Sequence, residues 1–186
     1  LAKGHDFPHL SLVGVIDADS SLYSSDFRAP ERFGQLLTQV SGRAGRRAQD
    51  AQCLIQARNS THPYLQTWMA KSYAGLAQVL DEERQATGWP PHSHLALLRI
   101  EAAQTAALTT FWAELRHCWQ ATAKVEQLGP VMRPRRAGRE RAQLLLRSPQ
   151  RGAIAASLRQ LRASLDNAPF ARKVRWSLDV DPQSLD

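Results

Sequence analysis

The sequence predicts an α/β chain in two parts, a parallel-sheet segment followed by an α+β domain of split β-α-β-β-α-β order. Three observations lead to this prediction. A continuous apolar run at 12–16 is typical of a strand buried on both faces, as in a parallel sheet. Two consecutive prolines at 90–91 end a long helical pattern. Beyond them, strand-like and helix-like segments follow one another in the order β-α-β-β-α-β.

The first part consists of a strand at 12–16, a helix that begins at Pro30 and a second strand at 52–57. Asp17 and Asp19 follow the first strand, where we expect loop residues, with a metal-binding pair as the alternative. The helix places its apolar residues at i, i+3, i+4 and i+7. These residues are Phe33, Leu36, Leu37 and Val40.

A basic motif, 39–47, stands where this helix meets a glycine. Arg43 and Arg46 are three residues apart, which places two guanidiniums on one side of a helical turn. Their planar donors match phosphate oxygens, and Gly42 removes side-chain bulk from the approach. The motif therefore predicts a phosphate contact. The alternative is a solvated basic helix end, where cations also suit the helix dipole.

A long helix at 64–87 connects the two parts. Its apolar residues recur near a 3.6-residue period, which favours core packing. They are Leu65, Trp68, Met69, Tyr73, Leu76 and Leu80. Gly88 fits the position after a helix end, and Pro90 and Pro91 stop the helix. We therefore divide the chain into residues 1–62, a connecting helix and proline hinge at 63–92, and a C-terminal domain at 93–186.

The C-terminal domain has four predicted strands and two predicted helices. The strands are 95–100, 128–133, 142–147 and 174–180, and the helices are 105–123 and 151–167. The last strand alternates, with Val174, Trp176, Leu178 and Val180 facing inward and Lys173, Arg175, Ser177 and Asp179 facing outward. Trp176 is therefore expected in the core. The alternative is that its ring stacks on the bases of a single-stranded nucleic acid.

The excess positive charge lies in the C-terminal third of the chain. The whole chain carries +7, and residues 133–186 alone hold 12 Lys and Arg against 5 Asp and Glu. A predicted turn presents Arg135, Arg136 and Arg139, and the last helix presents Arg151 and Arg159. Such groups contact nucleic-acid phosphates without reading sequence. The alternative is a generic arginine-rich surface.

The sequence lacks the common motifs for metal binding and for a phosphate-binding loop. It has no CxxC pair, HExxH motif or GxxxxGK[ST] phosphate loop, and no metal site is predicted. Cys53 and Cys118 are expected to be reduced core thiols. No apolar run is long enough for a membrane span, and we expect a cytoplasmic protein. Because the chain begins at Leu1 inside an apparent motif, we expect it to be part of a longer protein.

Several segments together resemble one helicase family. They are Leu1–Pro8, the strand that ends Asp17-Ala-Asp19, Asp26–Arg32, Gln39–Arg46, Trp89–Pro91 and Trp176–Pro182. This combination is similar to the primosomal protein N′ (PriA) family of bacterial replication-restart helicases in superfamily 2. The similarity covers the whole chain.

The resemblance implies roles for individual residues. Residues 1–62 would be the C-terminal half of the second RecA-like lobe, with Leu1–Pro8 as motif V and Gln39–Arg46 as motif VI. Arg46 would be the arginine finger and Arg43 a second phosphate contact. The remaining nucleotide-facing positions would be Gly4, Asp6, Gln39 and Gly42, while Lys3 would contact the single strand.

The family also implies an activity and partners. The parent would be an ATP- and Mg²⁺-dependent 3′→5′ DNA helicase that recognises stalled or branched forks and restarts replication by primosome assembly. Its zinc would be held outside this chain. Its partners would be branched and single-stranded DNA, single-strand-binding protein and other primosome proteins, in the bacterial nucleoid. The chain alone is expected to bind DNA without hydrolysing ATP. The alternative is a non-catalytic nucleic-acid-binding or protein-assembly module.

Overall fold

A computed structural model of the chain describes residues 11–24, 26–43 and 52–185. The chain divides into two compact units. Unit 1 comprises Leu1–Ala86 with Ser184–Asp186, and unit 2 comprises Thr87–Gln183. The boundary between the units, at Ala86 and Thr87, falls within residues 63–92, which were predicted to connect the two parts of the chain. In the described part of the chain, no helix is both long and apolar enough to cross a membrane.

Unit 1 is built from two short strands and two helices. In chain order these are β1 (Leu12–Val15), a 3₁₀ helix (Ala18–Tyr23), α1 (Ala29–Ser41), β2 (Gln52–Ile55) and all but the last residue of α2 (Pro63–Thr87). The strands pair in parallel, with Leu12 opposite Gln52 and Val15 opposite Ile55. Pro30 lies in the first turn of α1, and Ser41 is its last residue before Gly42. The strands, α1 and the parallel pairing confirm the sequence prediction for this segment.

The core of unit 1 lies on one side of the two-stranded sheet. Val15, Phe33, Leu37 and Leu65 are buried together there. The prediction that the first strand is buried on both faces is wrong. Its residue Leu12 is 53% exposed, and Ile16, just beyond the strand, is 81% exposed. The reason is that the described core packs against the face that carries Val15 and Ile55, whereas Leu12 and Ile16 lie on the other face.

Two helix predictions in unit 1 also need correction. Leu36 is 41% exposed and Met69 is 63% exposed, although both were expected in the core. The core contacts one side of each helix, with Phe33, Leu37 and Val40 on α1 and Tyr64, Leu65 and Trp68 on α2, and Leu36 and Met69 lie outside that contact. Helix α2 is also interrupted at an exposed serine, Ser72, where φ is 61° and two helical segments meet. The sequence period does not reveal this break.

Unit 2 has the predicted element order β-α-β-β-α-β. Its elements are β3 (His94–Ala102), α3 (Thr105–Cys118), β4 (Glu126–Arg136), β5 (Arg139–Ser148), α4 (Arg151–Asn167), a 3₁₀ helix (Pro169–Lys173) and β6 (Arg175–Val180). The four strands form an antiparallel sheet in the order β4-β5-β3-β6. The chain is therefore mixed α/β, with a parallel pair in unit 1 and an antiparallel sheet in unit 2.

Helices α3 and α4 cover one face of the four-stranded sheet. The buried core between these layers combines alternate strand residues with the inner sides of both helices. It includes Ala96, Leu98, Ile100, Leu144, Leu146, Leu108, Phe111, Leu115, Ile154, Leu161 and Leu165. Trp176 packs against this core as predicted. Val180, predicted to face inward, is 57% exposed at the end of its strand. Cys118 is exposed at the end of α3, so the prediction of a core thiol is wrong for this residue.

A small polar network joins the chain after α3 to the middle of α4. Ser157 is fully buried, and its Oγ accepts the Thr122 backbone N–H at 3.2 Å. The same oxygen lies 3.2 Å from the Thr122 hydroxyl. The indole N–H of Trp119 donates to the Ser157 carbonyl at 3.3 Å. These bonds hold the α3–β4 connection against α4.

Candidate nucleic-acid interface

The face of the four-stranded sheet that lies opposite α3 and α4 carries a cluster of arginines. Along β3, Ala96, Leu98 and Ile100 face the helices, so the residues between them face the other way. Residues that are paired across neighbouring strands share a face. We call the following six residues the arginine face: Arg99, Arg133, Arg136, Arg139, Arg141 and Arg175.

The arginines stand in rows across the strands. Arg133 lies opposite Arg141, which lies opposite Glu101, which in turn lies opposite Arg175. One row therefore crosses all four strands. At the end of the β4–β5 hairpin, Arg136 lies opposite Arg139.

Two carboxylates on the same face neutralise part of this charge. Asp179 Oδ2 lies 2.8 Å from Arg99 Nη1, and Glu101 Oε1 lies 3.6 Å from Arg141 Nε. Six arginines and these two carboxylates sum to a formal charge of +4. Unit 2 as a whole holds 15 Lys and Arg against 7 Asp and Glu, a net charge of +8. Half of its excess charge therefore lies on one sheet face.

The hairpin turn separates the three arginines that the sequence grouped together. Ala137 and Gly138 have φ values of 48° and 76°, as the two-residue turn of a hairpin requires. Arg135 is bound back onto this turn, because its Nη2 donates to the Gly138 carbonyl at 2.9 Å. Its Nε also lies 3.7 Å from Glu140. Arg136 and Arg139 belong to the arginine face, whereas Arg135 is held by the turn.

The predicted arginines of the last helix lie in the other layer of unit 2. Arg151 and Arg159 are exposed on α4, whose inner side packs on the opposite face of the sheet. Arg162 pairs with Asp166 one turn away, at 3.3 Å. The structure therefore does not bring the predicted hairpin and helix arginines together, and Arg151 and Arg159 stay predictions as DNA contacts.

The predicted nucleotide contacts of unit 1 are described only in part. Gln39 is exposed on the last turn of α1, and Gly42 follows the helix. The Arg43 backbone N–H donates to the Val40 carbonyl at 3.0 Å, so the chain continues the turn there. Lys3, Gly4, Asp6 and Arg46 lie outside the described residues.

Comparison with known proteins places this chain in a family. Residues 85–183, more than half of the chain, match the family described as primosomal protein N C-terminal domain. The chain belongs to this family. Its matches include Replication restart protein PriA from Haemophilus influenzae, which is 37% identical over 190 residues, covering 100% of this chain and 26% of that protein.

Further PriA proteins support the assignment. Those of Bacillus subtilis and Synechocystis are 32% and 37% identical, and each match covers 100% of this chain. It covers only 24% and 22% of those two proteins, so the chain spans about a quarter of their length. The family resemblance read from the motifs is confirmed. A designed protein, Foldit4, overlaps 49% of the chain at a TM-score of 0.35, which is too low to support any fold comparison.

Two acids that end the first strand of this PriA-family chain have structural partners. Asp19 is fully buried, and its carboxylate accepts the backbone N–H groups of Arg58 and Asn59 at 3.0 and 2.9 Å. These hydrogen bonds, Arg58 first, lower the pKa of Asp19. Asp17 lies 3.4 Å from the Arg58 guanidinium. Asp17 directly precedes the first 3₁₀ helix and Asp19 lies in its first turn, so both have structural partners there. Within the described ranges no three His, Cys, Asp or Glu residues group as metal ligands.

Sequence reasoning missed part of the arginine face. It identified Arg136 and Arg139 and placed Arg175 outward, but it did not single out Arg99, Arg133 or Arg141. The usable signal was strand alternation, since Arg99 lies between the core residues Leu98 and Ile100, and Arg141 directly precedes the core residue Ala142. Alternation alone does not show that arginines of different strands lie side by side, because their positions depend on the register of all four strands.

Proposed function

We propose that this chain is the C-terminal part of an ATP-dependent 3′→5′ DNA helicase that restarts replication at stalled or branched forks. In this proposal unit 2 binds DNA, and unit 1 belongs to the motor. The observation that carries the DNA-binding part is the arginine face, with its charge of +4 on one side of the sheet. Membership of the PriA family supports the assignment to replication restart.

Unit 1 fits the proposal of a partial RecA-like lobe. Its two parallel strands are connected through α1, which is the unit from which larger parallel sheets are built. Leu12 and Leu54 are more than half exposed on these strands, as expected of a sheet face that helices of a complete lobe would cover. The remaining strands of the lobe would come from the rest of the parent protein.

The proposed roles of Arg43 and Arg46 are electrostatic. As the γ-phosphoryl group is transferred to water, charge develops on its oxygens and on the leaving oxygen of ADP. A guanidinium that reaches these oxygens stabilises that charge. Arg46 would act as the arginine finger and Arg43 as a second contact, with Gln39 and Gly42 beside them. Gly4 and Asp6 would lie near the nucleotide and Lys3 near the single strand. Bound Mg²⁺·ATP would supply the phosphoryl group.

The proposed partners follow the family. Branched DNA with its single-stranded arm would be the substrate, and single-strand-binding protein and other primosome proteins would be protein partners in the bacterial cytoplasm. The zinc of the parent is assigned to no residue in this chain.

The second candidate function is a non-catalytic nucleic-acid-binding or assembly module. The observation that favours it is that the family match, apart from its first two residues, and the whole arginine face lie in unit 2, which shares no residue with the proposed ATP contacts. In that case residues 39–46 would be a basic helix end and nothing more.

An ATPase comparison in the full-length parent separates the two candidates. Arg46→Ala is expected to lower DNA-stimulated kcat by about 10³-fold or more, because an arginine finger contributes on that scale. Arg47→Ala, the same change one residue further on, is the matched control and should retain near wild-type kcat. Fork binding should be unchanged in both. Wild-type kcat in Arg46→Ala would remove the arginine-finger role, and ATPase from the 186-residue chain alone would contradict the proposed division of the motor.

A further inference from the structure

We infer that the arginine face is a docking surface for the backbone of double-stranded DNA, the duplex arm of a branched substrate. The inference rests on the proposed DNA-binding function and makes it specific. It names the surface within unit 2, the form of DNA, and the groups that are contacted, which are phosphates and not bases.

The first support is a pair of like charges at the hairpin end of this face. Arg136 lies opposite Arg139. Like charges directly across two strands destabilise a sheet. At the far end of the same face the sheet has the stabilising arrangement instead, because Arg147 lies opposite Glu126 with 2.7 Å between Nη2 and Oε2. An external polyanion would offset the repulsion at the arginine end.

The second support is the extent of the surface. The row from Arg133 to Arg175 crosses all four strands, and three strand spacings amount to about 14 Å. Duplex DNA carries one phosphate per about 1.7 Å of its axis, so a duplex segment of this length carries about eight phosphates on its two strands, and the side that faces the sheet presents part of them. A charge of +4 on this face is therefore matched by a larger negative charge on the ligand.

The third support is the absence of stacking groups. Among the described residues, the strand positions on this face carry no aromatic side chain. Trp176 faces the helices, and Trp89 lies under Arg147 at the far end, with 5.2 Å between ring centroid and guanidinium carbon. Surfaces that bind single strands rely on base stacking on aromatic rings. A surface of guanidiniums alone matches the duplex backbone, where the bases are already stacked.

The test compares two triple variants with equal loss of charge. The face variant is Arg136→Gln, Arg139→Gln and Arg175→Gln. The control variant is Arg116→Gln, Arg172→Gln and Lys173→Gln, which are exposed residues of α3 and the second 3₁₀ helix. Affinity for a labelled duplex is measured from 50 to 200 mM salt, and circular dichroism verifies that both variants fold.

The face variant is expected to lower the slope of log K against log salt by about 2.7, since each lost phosphate contact removes about 0.9. The control variant should keep the wild-type slope. Equal slopes in the two variants would overturn the inference, and would leave α4, with Arg151 and Arg159, as the surface to test. Tighter binding of a labelled oligo-dT than of the duplex, with quenched tryptophan fluorescence, would also overturn it.

The same data distinguish this inference from the proposed function. If the wild-type chain binds no DNA at 50 mM salt, the DNA-binding function of unit 2 itself is wrong. If the wild-type chain binds and the face variant behaves as the control does, the function stands and only the assignment to the arginine face is wrong.

Discussion

Reversing the charge of Arg136 is expected to stabilise unit 2 while weakening its binding to DNA. Arg136 is exposed at the end of β4 and lies directly opposite Arg139. In Arg136→Glu the like-charge pair becomes an opposite-charge pair on neighbouring strands. The two effects have opposite signs because the arrangement that costs folding energy is the one that attracts phosphates.

The magnitudes follow from the geometry. An opposite-charge pair across two strands contributes about 0.2–1 kcal/mol, and a like-charge pair costs a similar amount. Because Arg136 is exposed, solvent screening reduces the total change to about 0.5–1 kcal/mol. For a unit of about 100 residues this raises the unfolding midpoint by about 2–8 °C. One lost phosphate contact lowers the salt slope by about 0.9, which corresponds to about eightfold weaker binding at 100 mM salt.

Both effects can be measured on one protein sample. Four of the five tryptophans, at 89, 112, 119 and 176, lie in unit 2, so tryptophan fluorescence mainly follows the unfolding of this unit. Arg136→Gln is the control, with about half of the gain in stability and the same loss of one phosphate contact. A fall in the unfolding midpoint together with unchanged DNA affinity would refute the reasoning on both counts.

Three further predictions concern the stability of the fold. Ala137→Asn should stabilise unit 2 by about 0.5–1 kcal/mol in urea unfolding followed by fluorescence, because Ala137 has a φ of 48° in a turn that favours Asn-Gly. Ser157→Ala should destabilise unit 2 by about 1–3 kcal/mol in the same assay, because it leaves the Thr122 amide and hydroxyl without their shared partner. Tyr64 should titrate at a pH of about 12 in ultraviolet absorbance, because burial and then the hydrogen bond to Glu83 raise its pKa to about 12.

Each of these predictions has a control and a contrary outcome. For the turn, Ala137→Val should destabilise, since a β-branched residue resists positive φ; a stable valine variant would contradict the argument. For the network, Ser177→Ala at an exposed position of β6 should change stability by less than about 0.5 kcal/mol, and an equal loss in both variants would exclude a specific role for Ser157.

The sign of the Tyr64 effect follows from the direction of its pKa shift. The folded-state pKa is above the unfolded value of about 10, so folding favours the neutral phenol. The contribution to stability is complete below pH 10 and is lost as the pH rises through about 12. Tyr64→Phe should remove the absorbance step near pH 12, and persistence of that step would assign it to another tyrosine.

The order of elements in both units could be predicted from the sequence. Apolar side chains repeat every two residues in a strand and about every 3.6 residues in a helix, and a short segment is enough to show either spacing. Every second residue is apolar and faces the helices from 96 to 102 in β3 and from 142 to 146 in β5. Burial was predicted less well at the ends of elements, as Leu12 and Val180 show. A side chain there is exposed when no neighbouring layer extends far enough to cover it, and the pattern of the strand itself holds no information about that layer.

The rows of the arginine face could not be predicted, because a bulge sets them. Counting back from the two-residue turn at 137–138 places Arg133 opposite Ala142, which faces the core. The register shifts by one residue between Arg133 and Arg136, and Arg133 lies opposite Arg141 instead. A shift of one residue moves a side chain to the other face of the sheet. Pro134 lies in this segment and is compatible with a bulge on an edge strand, but it fixes neither the size nor the position of the shift.

The most direct test of the account is the affinity of the 186-residue chain for three labelled DNAs over a salt series. These are a three-way fork, a linear duplex of the same length and a single strand. The account predicts that fork and duplex bind with similar, steep salt slopes and that the single strand binds more weakly. Binding of none of the three at about 50 mM salt would contradict the assignment of DNA recognition to unit 2, and a preference for the single strand would contradict the duplex-backbone surface.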